Sequence, residues 1–120
     1  MNFKFPPSEK LKSRKLIETL FAEGKNVKSF PLLLAYLPVE HESDALFQVG
    51  FSVSKRKFKH AVDRNRVKRL MREAYRLNKN ILVAKHTKKH ILMFIYISNN
   101  ILTYNEIEAA MLKVFRKLEI

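Results

Sequence analysis

Cysteine is absent from the chain, and glycine and proline are scarce; each shortage excludes a class of protein. Without cysteine among its 120 residues, the chain can form neither a disulfide bond nor a thiolate metal site. It has only 2 Gly and 4 Pro, a composition unlike that of a disordered tail. Hydrophobic residues make up 47% of the sequence, enough for one modest core and not for two. We therefore expect residues 1–120 to form a single domain.

Long apolar runs and metal-ligand patterns are missing as well. No stretch is long enough to span a bilayer, and residues 1–7 (MNFKFPP) lack the apolar core of a signal peptide. The sequence thus predicts a cytoplasmic protein with no membrane partner. The four His show no ligand-like spacing with carboxylates, so we expect no metal site on the protein itself.

Acidic residues are also in short supply. The chain has 11 Asp and Glu against 24 Lys and Arg, which gives a formal net charge of +13. So large an imbalance costs self-repulsion unless a polyanion is usually bound. By charge alone the partner could be nucleic acid, an anionic membrane surface or an acidic protein, and the pattern of the basic residues described below favours nucleic acid.

The apolar pattern of the first half predicts one helix and two strands. Ser8 suits the N-cap of a helix, and Gly24 suits the left-handed residue that would end it. Apolar residues at roughly helical spacing between them are Leu11, Ile17, Leu20 and Phe21. Residues 30–38 form a compact apolar run typical of a strand. Phe47–Val53 alternates apolar with small or polar residues, which predicts a half-buried strand.

The second half predicts two helices around one strand. Residues 61–80 have an apolar face made of Val67, Leu70, Met71, Ala74 and Tyr75. Residues 90–97 (HILMFIYI) are almost continuously apolar, which indicates a central strand covered on both faces. Thr103 and Glu106 fit a capping box at the start of the last helix. Its predicted buried stripe is Ile107, Ala110, Met111, Val114, Phe115 and Leu118. This order of elements suggests a small α+β domain.

Residues 55–76 hold the strongest concentration of charge. They contain ten basic residues against two acidic ones, a net charge of +8. Because a helix turns 100° per residue, four cations fall on one i, i+4 line: Arg64, Lys68, Arg72 and Arg76. Asn65 and Arg69 flank this line. Acidic compensation is expected only from Asp63 near the helix N-terminus and from Glu73 beside Arg69.

This line of like charges favours a bound polyanion. Like charges at i, i+4 disfavour a helix by roughly 0.2–0.5 kcal/mol per pair, and a merely solvated face usually mixes both signs. Phosphate binding explains both the line and its weak compensation. Arg outnumbers Lys in the helix, which favours bidentate phosphate contact and base stacking. Lys55 and Arg56 extend the basic surface ahead of the helix.

Residues 50–76, GFSVSKRKFKHAVDRNRVKRLMREAYR, resemble the signature of the bacterial ribonuclease P protein subunit family. The most specific part is the RNR core at residues 64–66, followed by VKRLMRE at residues 67–73. The likeness extends to residues 17–24, which fit the family's first helix, and to residues 102–104, which precede its last one. It therefore covers most of the chain.

The resemblance implies a fold and a role. The fold would have the order αβββαβα, with a left-handed βαβ crossover and an additional short strand near residues 25–28. The role would be that of a protein cofactor. It would assist a catalytic RNA in removing the 5′ leader from precursor tRNA, as the protein subunit of an endoribonuclease. The chemistry would belong to the RNA and its bound Mg²⁺, with no catalytic residue in the protein and no protein partner required.

The resemblance also implies site residues, carried over position by position. The implied contacts to the catalytic RNA are Arg64, Asn65 and Arg66, with the neighbouring Lys55 and Arg56. The charge pattern of the helix adds Lys68, Arg69, Arg72 and Arg76 to the predicted RNA-binding residues. The implied leader cleft contains Lys68 and Arg72 together with Ile17 and Phe21 of the first helix, although both apolar residues could instead pack in the core. The cleft also has a strand aromatic. Tyr36 is the candidate for it, while the ungapped alignment puts Ala35 there.

Three other functions compete with this one. Charge and size also allow a ribosomal or other structural RNA-binding protein, but the match over residues 50–76 argues against it. A DNA-binding module would want a helix-turn-helix pair and usually a dimer surface, and neither is visible. A self-sufficient nuclease needs clustered carboxylates to hold its metal ions. Only Asp44 and Asp63 are Asp, and the nine Glu are scattered.

Overall fold

Three helices and four strands account for most of the chain in the computed structural model of the protein, which describes residues 4–118. In chain order the elements are α1 (Arg14–Glu23), β1 (Lys25–Ser29), β2 (Leu32–Pro38), β3 (Phe47–Val53), α2 (Ala61–Val83), β4 (His90–Tyr96) and α3 (Tyr104–Lys117). This order confirms the α+β class and the αβββαβα sequence of elements. It includes the short strand β1 that only the family resemblance implied.

The four strands form one mixed sheet in the order β1-β2-β4-β3. The pairs β1–β2 and β2–β4 are antiparallel, and β3 runs parallel to β4. Helix α2 makes the crossover between the two parallel strands; its left-handed sense stays a prediction from the resemblance. Strand β4 has a neighbour on each side and is buried along almost all of its length. The prediction of a central, doubly covered strand is therefore confirmed.

Alternation along the strands gives the sheet two unequal apolar faces. The larger core lies under α2 and α3 and contains a group of aromatic rings centred on Tyr75 and Phe94, whose centroids are 5.9 Å apart. Phe51 stacks on Phe94 at 5.7 Å. The smaller core lies under α1 and is built from Leu11, Leu20, Ala35, Ile91 and Met93. The buried stripe predicted for α3 is confirmed.

Helix boundaries follow the capping chemistry, with two corrections in α1. Thr103 and Glu106 form the predicted capping box at the start of α3. The prediction that Ser8 caps α1 is wrong, because Ser8 lies in a short 3-10 turn, Pro7–Glu9, and Ser13 accepts the bond from the Leu16 amide instead. Lys10 and Leu11, which lie between Ser8 and Ser13, are extended beside the sheet. Their pairing with Val49 of β3 prevents a helix from beginning at Ser8.

Gly24 ends α1 as predicted, but not in the left-handed conformation. Its φ of −70° is one that any residue adopts. A Cβ at this position would instead collide with the carbonyl oxygen of Leu20. Position 24 thus favours glycine because the carbonyl oxygens of Leu20 in α1 and Tyr36 in β2 leave little room for a side chain.

Two other predicted bounds shift by a few residues. Strand β2 begins at Leu32, because Phe30 lies in the tight turn that joins it to β1, where its side chain is 62% exposed. Helix α2 continues to Val83 and ends near Ala84. Its apolar face is confirmed: Val67, Met71, Ala74 and Tyr75 are buried, and Leu70 is half-buried.

Candidate nucleic-acid interface

Helix α2 presents its polar residues across a broad arc opposite the core. Asn65, Arg66, Arg69 and Arg72 are exposed, while Arg64, Lys68 and Arg76 are half-buried. Asp63 lies in the first turn, where its charge complements the helix dipole. The helical spacing of the cations therefore appears in three dimensions as the sequence predicted. The individual side chains differ in what they contact.

Arg64 turns back to hold the loop before its own helix. Its Nη1 atom donates to the carbonyl oxygens of Phe58 at 2.8 Å and Lys59 at 3.0 Å. That loop also carries Lys55 and Arg56, both of which are exposed. Arg64 therefore helps to shape the basic surface as well as contributing charge to it.

Replacing Arg64 with Ala should lower the stability of the protein. The change leaves two loop carbonyls without their donor, and a hydrogen bond of this kind contributes about 0.5–1.5 kcal/mol. Urea unfolding should show a lower midpoint for Arg64→Ala, while Arg66→Ala, at an exposed position of the same helix, should match the unchanged protein. Equal midpoints for both variants would show that the loop holds its shape without Arg64.

Glu73 supplies acidic compensation as expected, but its ion-pair partner is Arg76 and not the neighbouring Arg69. The Nε atom of Arg76 donates to Oε2 of Glu73 at 3.1 Å, and Nη2 donates to Oε1 in the same fork. The i, i+3 spacing allows this two-pronged contact. The hydrogen bond from Arg76 lowers the pKa of the Glu73 carboxyl. The charge of Arg76 is thus compensated within the helix, whereas Arg69 and Arg72 remain exposed.

Lys68 and Arg72 face an open groove between α2 and the N-terminal segment. We define the N-terminal groove as the cavity of about 430 Å³ lined by Phe5, Lys10, Leu11, Lys12, Val49, Phe51, Lys68 and Arg72. Leu11 fixes one wall, because its amide donates to the carbonyl of Val49 at 3.0 Å. Among residues 4–118, four cations and no carboxylate line this groove.

Sequence reasoning missed Lys10 and Lys12 because it assigned both to α1. A signal was present: Lys10 and Lys12 flank an apolar residue, Leu11, with the period of two that is typical of an extended segment. Leu11 is buried in the smaller core, and Lys12 is exposed. The alternation thus packs Leu11 into the smaller core, while Lys10 and Lys12 line the groove beside it.

The two apolar residues predicted on α1 have different environments. Ile17 is half-buried and packs against the smaller core, so core packing accounts for part of its surface. Phe21 is 56% exposed, which excludes plain core packing for its ring. Neither residue is among those that line the N-terminal groove. The residues predicted to form the leader cleft therefore lie on two surfaces, the N-terminal groove and α1.

Tyr36 does not belong to the surface around α1. Its side chain is only 6% exposed and packs in the larger core, on the face of the sheet away from α1. Ala35 points to the α1 face instead. Since successive residues of a strand face opposite sides, only one of the two can meet Ile17 and Phe21. The assignment of Tyr36 to the cleft is thus corrected in favour of position 35.

Comparison with known proteins bears on the identity of the chain. A family model described as Ribonuclease P matches residues 5–119. This chain belongs to the ribonuclease P protein family. The ribonuclease P protein component of Porphyromonas gingivalis strain ATCC 33277 is 41% identical over 115 residues, which cover 92% of this chain and 83% of the relative. The corresponding protein of Alkaliphilus metalliredigens is 35% identical over 94% of this chain and 96% of its own length.

Solved structures of ribonuclease P proteins share the fold. The protein from Thermotoga maritima aligns with a TM-score of 0.75 at 20% identity, over 93% of this chain and 99% of that one. The protein from Staphylococcus aureus aligns with a TM-score of 0.72 at 22% identity, over 91% and 94% of the two chains. At such identities the likeness concerns the architecture and not individual side chains.

Two further features of this ribonuclease P family member concern metals and membranes. Within residues 4–118, no group of three or more His, Asp or Glu side chains lies close enough together to hold a metal ion. In the same part of the chain, no helix combines the length and apolarity needed to cross a membrane.

Proposed function

We propose that this chain is the protein component of ribonuclease P, which binds the catalytic RNA and the 5′ leader of precursor tRNA and assists Mg²⁺-dependent removal of the leader. The observation that carries the proposal is the split of cations on α2. Arg66 and Arg69 are exposed on its outer side, whereas Lys68 and Arg72 line the N-terminal groove. One helix of a ribonuclease P family member thus presents cations for phosphate both on its outer side and in the N-terminal groove.

The outer surface suits a large structured RNA. Arg66, Asn65 and Arg69 project from one exposed arc, and Lys55 and Arg56 lie on the loop that leads into the helix. Arginine forks bind phosphate oxygens bidentately, and such contacts fix position without reading sequence. We assign this surface to the catalytic RNA.

The groove and the exposed ring of Phe21 on α1 each have a property that suits a single strand. Single-stranded nucleic acid binds where cations follow its backbone and exposed aromatic rings stack on its bases. The four cations of the groove supply the first element, and Phe21, at 56% exposure, supplies the second. A precursor tRNA differs from a mature one by its leader, so binding the leader here would favour substrate over product. This work would take place in the cytoplasm, where precursor tRNA is made.

The catalytic step is assigned to the RNA and its Mg²⁺ ions. Protein nucleases that use metal ions hold them with clustered carboxylates. The two aspartates lie apart in this fold, Asp44 before β3 and Asp63 in the first turn of α2. The chain's own residues would bind and orient RNA, and they would neutralise the phosphates that the two RNAs bring together.

We expect the protein alone to release no leader from precursor tRNA, and to restore leader removal by a ribonuclease P RNA at low Mg²⁺. The protein would be tested with and without that RNA, and the product would be resolved by size. Leader release that survives nuclease treatment of the purified protein would contradict the assignment of catalysis to RNA.

The same assay separates the proposal from a purely structural RNA-binding role. A structural RNA-binding protein of equal charge would bind the RNA without increasing correct cleavage at low Mg²⁺. A basic ribosomal protein of similar size is therefore the control. If both proteins stimulated cleavage equally, charge neutralisation alone would explain the effect and the specific role would be lost.

A further inference from the structure

Lys79 is a buried cation that the proposed function does not use. Its side chain lies on α2 with the residue only 4% exposed, and its Nζ atom donates to both carboxylate oxygens of Glu9, at 2.7 Å and 3.0 Å. The same atom also contacts the backbone carbonyl of Lys4. A charge is kept in such a place only when it is paired and hydrogen-bonded. Lys79 is therefore committed to the N-terminal segment.

The contact between Lys79 and Glu9 fixes where the N-terminal segment runs. Glu9 closes the 3-10 turn Pro7–Glu9, and the next residue, Lys10, pairs with Val49 at the edge of β3. On the other side of the turn, Phe5 packs edge-on against Phe51 and Tyr75, with ring centroids 5.9 Å apart in both cases. The segment is thus held to α2 by an ion pair and to the sheet by a backbone bridge and an aromatic ring.

This attachment creates one wall of the N-terminal groove. Lys10 and Lys12 line that wall, and Lys68 and Arg72 line the other. The ion pair also neutralises the carboxylate of Glu9, the residue that precedes Lys10 in sequence. Among residues 4–118, the four cations share this groove with no carboxylate in its lining; Lys10 and Lys12 also border an adjoining cavity that contains Glu40 and Glu42. That pattern matches a backbone of phosphates more closely than it matches a protein ligand.

We propose that Lys10 and Lys12 bind the sugar-phosphate backbone of the single-stranded RNA in the groove, and that the Lys79–Glu9 ion pair is a clasp that positions them. The inference rests on the proposed function and adds the second wall of its substrate site. Lys10 and Lys12 are binding residues. Lys79 and Glu9 are positioning residues, because both act through the segment that they fasten.

The binding residues are tested with the holoenzyme reconstituted from the protein and a ribonuclease P RNA. Lys10→Ala and Lys12→Ala should each weaken binding of precursor tRNA roughly fivefold and leave binding of mature tRNA unchanged. Each change should also lower the salt slope for the precursor by about 0.7, the value for one cation on a single strand. Lys113→Ala, an exposed lysine of α3 outside the groove, is the matched control.

The clasp is tested by combining substitutions. Lys79→Met should reduce the preference for precursor over mature tRNA, and Lys10→Ala added to it should then have little further effect, because Lys10 is already displaced. If Lys79→Met does not fold, Glu9→Gln provides the same comparison, since it removes the charge and keeps an oxygen acceptor. The comparison uses whichever of Lys79→Met and Glu9→Gln folds. If adding Lys10→Ala to that variant weakened precursor binding as much as it does in the unchanged protein, the positioning role of the ion pair would be wrong.

The failure of this inference can be told from failure of the proposed function. If the unchanged protein restores cleavage and prefers precursor, yet Lys10→Ala and Lys12→Ala behave like Lys113→Ala, then the second wall does not bind RNA. Equal losses for precursor and mature tRNA would overturn the inference as well, because they would place the lysines on the tRNA body. If the unchanged protein neither restores cleavage nor prefers precursor, the proposed function itself is wrong and this inference falls with it.

Discussion

Phe21→Ala is expected to weaken binding of precursor tRNA to the assembled enzyme by about 1–3 kcal/mol, the contribution of one stacked base. Mature tRNA, which has no leader, should bind with unchanged affinity. The expectation follows from the exposure of the ring, which is 56% accessible near the C-terminal end of α1. Because the ring is not in the core, its removal should not carry the 3–5 kcal/mol stability cost that is typical of a buried Phe. Equilibrium binding of both tRNAs by each variant is the measurement.

Two further variants make the result for Phe21 specific. Phe30→Ala removes a ring of similar exposure, 62%, from the turn between β1 and β2, and it should leave the leader preference intact. Leu20→Ala truncates a buried neighbour of Phe21 and should lower stability by about 2–5 kcal/mol. If Phe21→Ala weakened both tRNAs equally, or shifted thermal unfolding as Leu20→Ala does, the ring would act through folding or on the tRNA body.

The parts of the fold that sequence predicted well are those in which a local pattern and the tertiary environment agree. The alternation of Phe47–Val53 indicates a strand with one face in the core, and the continuous apolar run of β4 indicates a strand buried on both faces. The capping box at Thr103 is satisfied entirely within one turn. In these segments neighbours in sequence are sufficient to determine the structure.

The start of α1 was mispredicted because two serines offer the same local chemistry. Ser8 and Ser13 are both suitable N-caps, and the choice is made by a contact 38 residues away in sequence, the bond from the Leu11 amide to the carbonyl of Val49. That bond keeps Leu11 extended and delays the helix. Strand β1, with the sequence KNVKS, has no apolar pattern at all and forms by pairing with β2. Only the family resemblance indicated it.

In the candidate site, too, some features follow from local sequence and others depend on distant contacts or side-chain conformation. The angular positions of the α2 cations follow from 100° per residue and were predictable. The choice of Arg76 over Arg69 as the partner of Glu73, and the turn of Arg64 back to its loop, depend on side-chain conformations that spacing leaves open. The face on which Tyr36 lies was also open, since β2 is buried on both sides and the apolar run carries no period. The groove brings residues near position 10 together with residues near position 70. Because these residues are far apart in sequence, no local pattern predicts that they meet.

Substitutions on the two sides of α2 are expected to weaken the binding of different RNAs, because the helix is expected to bind both the catalytic RNA and the leader. With Arg64 set at zero on the helical wheel, Arg66 stands at about 200°, while Lys68 and Arg72 stand at about 40° and 80°. Arg66 is exposed on the outer side, and the other two line the N-terminal groove. Arg66→Ala should therefore weaken binding to the catalytic RNA by about 1.5–3 kcal/mol, the contribution of a charged hydrogen bond, and lower the salt slope by about one.

Lys68→Ala and Arg72→Ala should leave assembly with the catalytic RNA close to normal and reduce the preference for precursor over mature tRNA. None of the three changes should alter the fold much, because Arg66 and Arg72 are exposed and Lys68 is only half-buried. The measurement is a salt titration of affinity for each RNA with each variant, with Arg116→Ala, an exposed arginine of α3, as the matched control. If all three variants lost both affinities in the same proportion, the helix would present one continuous phosphate-binding surface, and the assignment of separate RNAs to its two sides would be wrong.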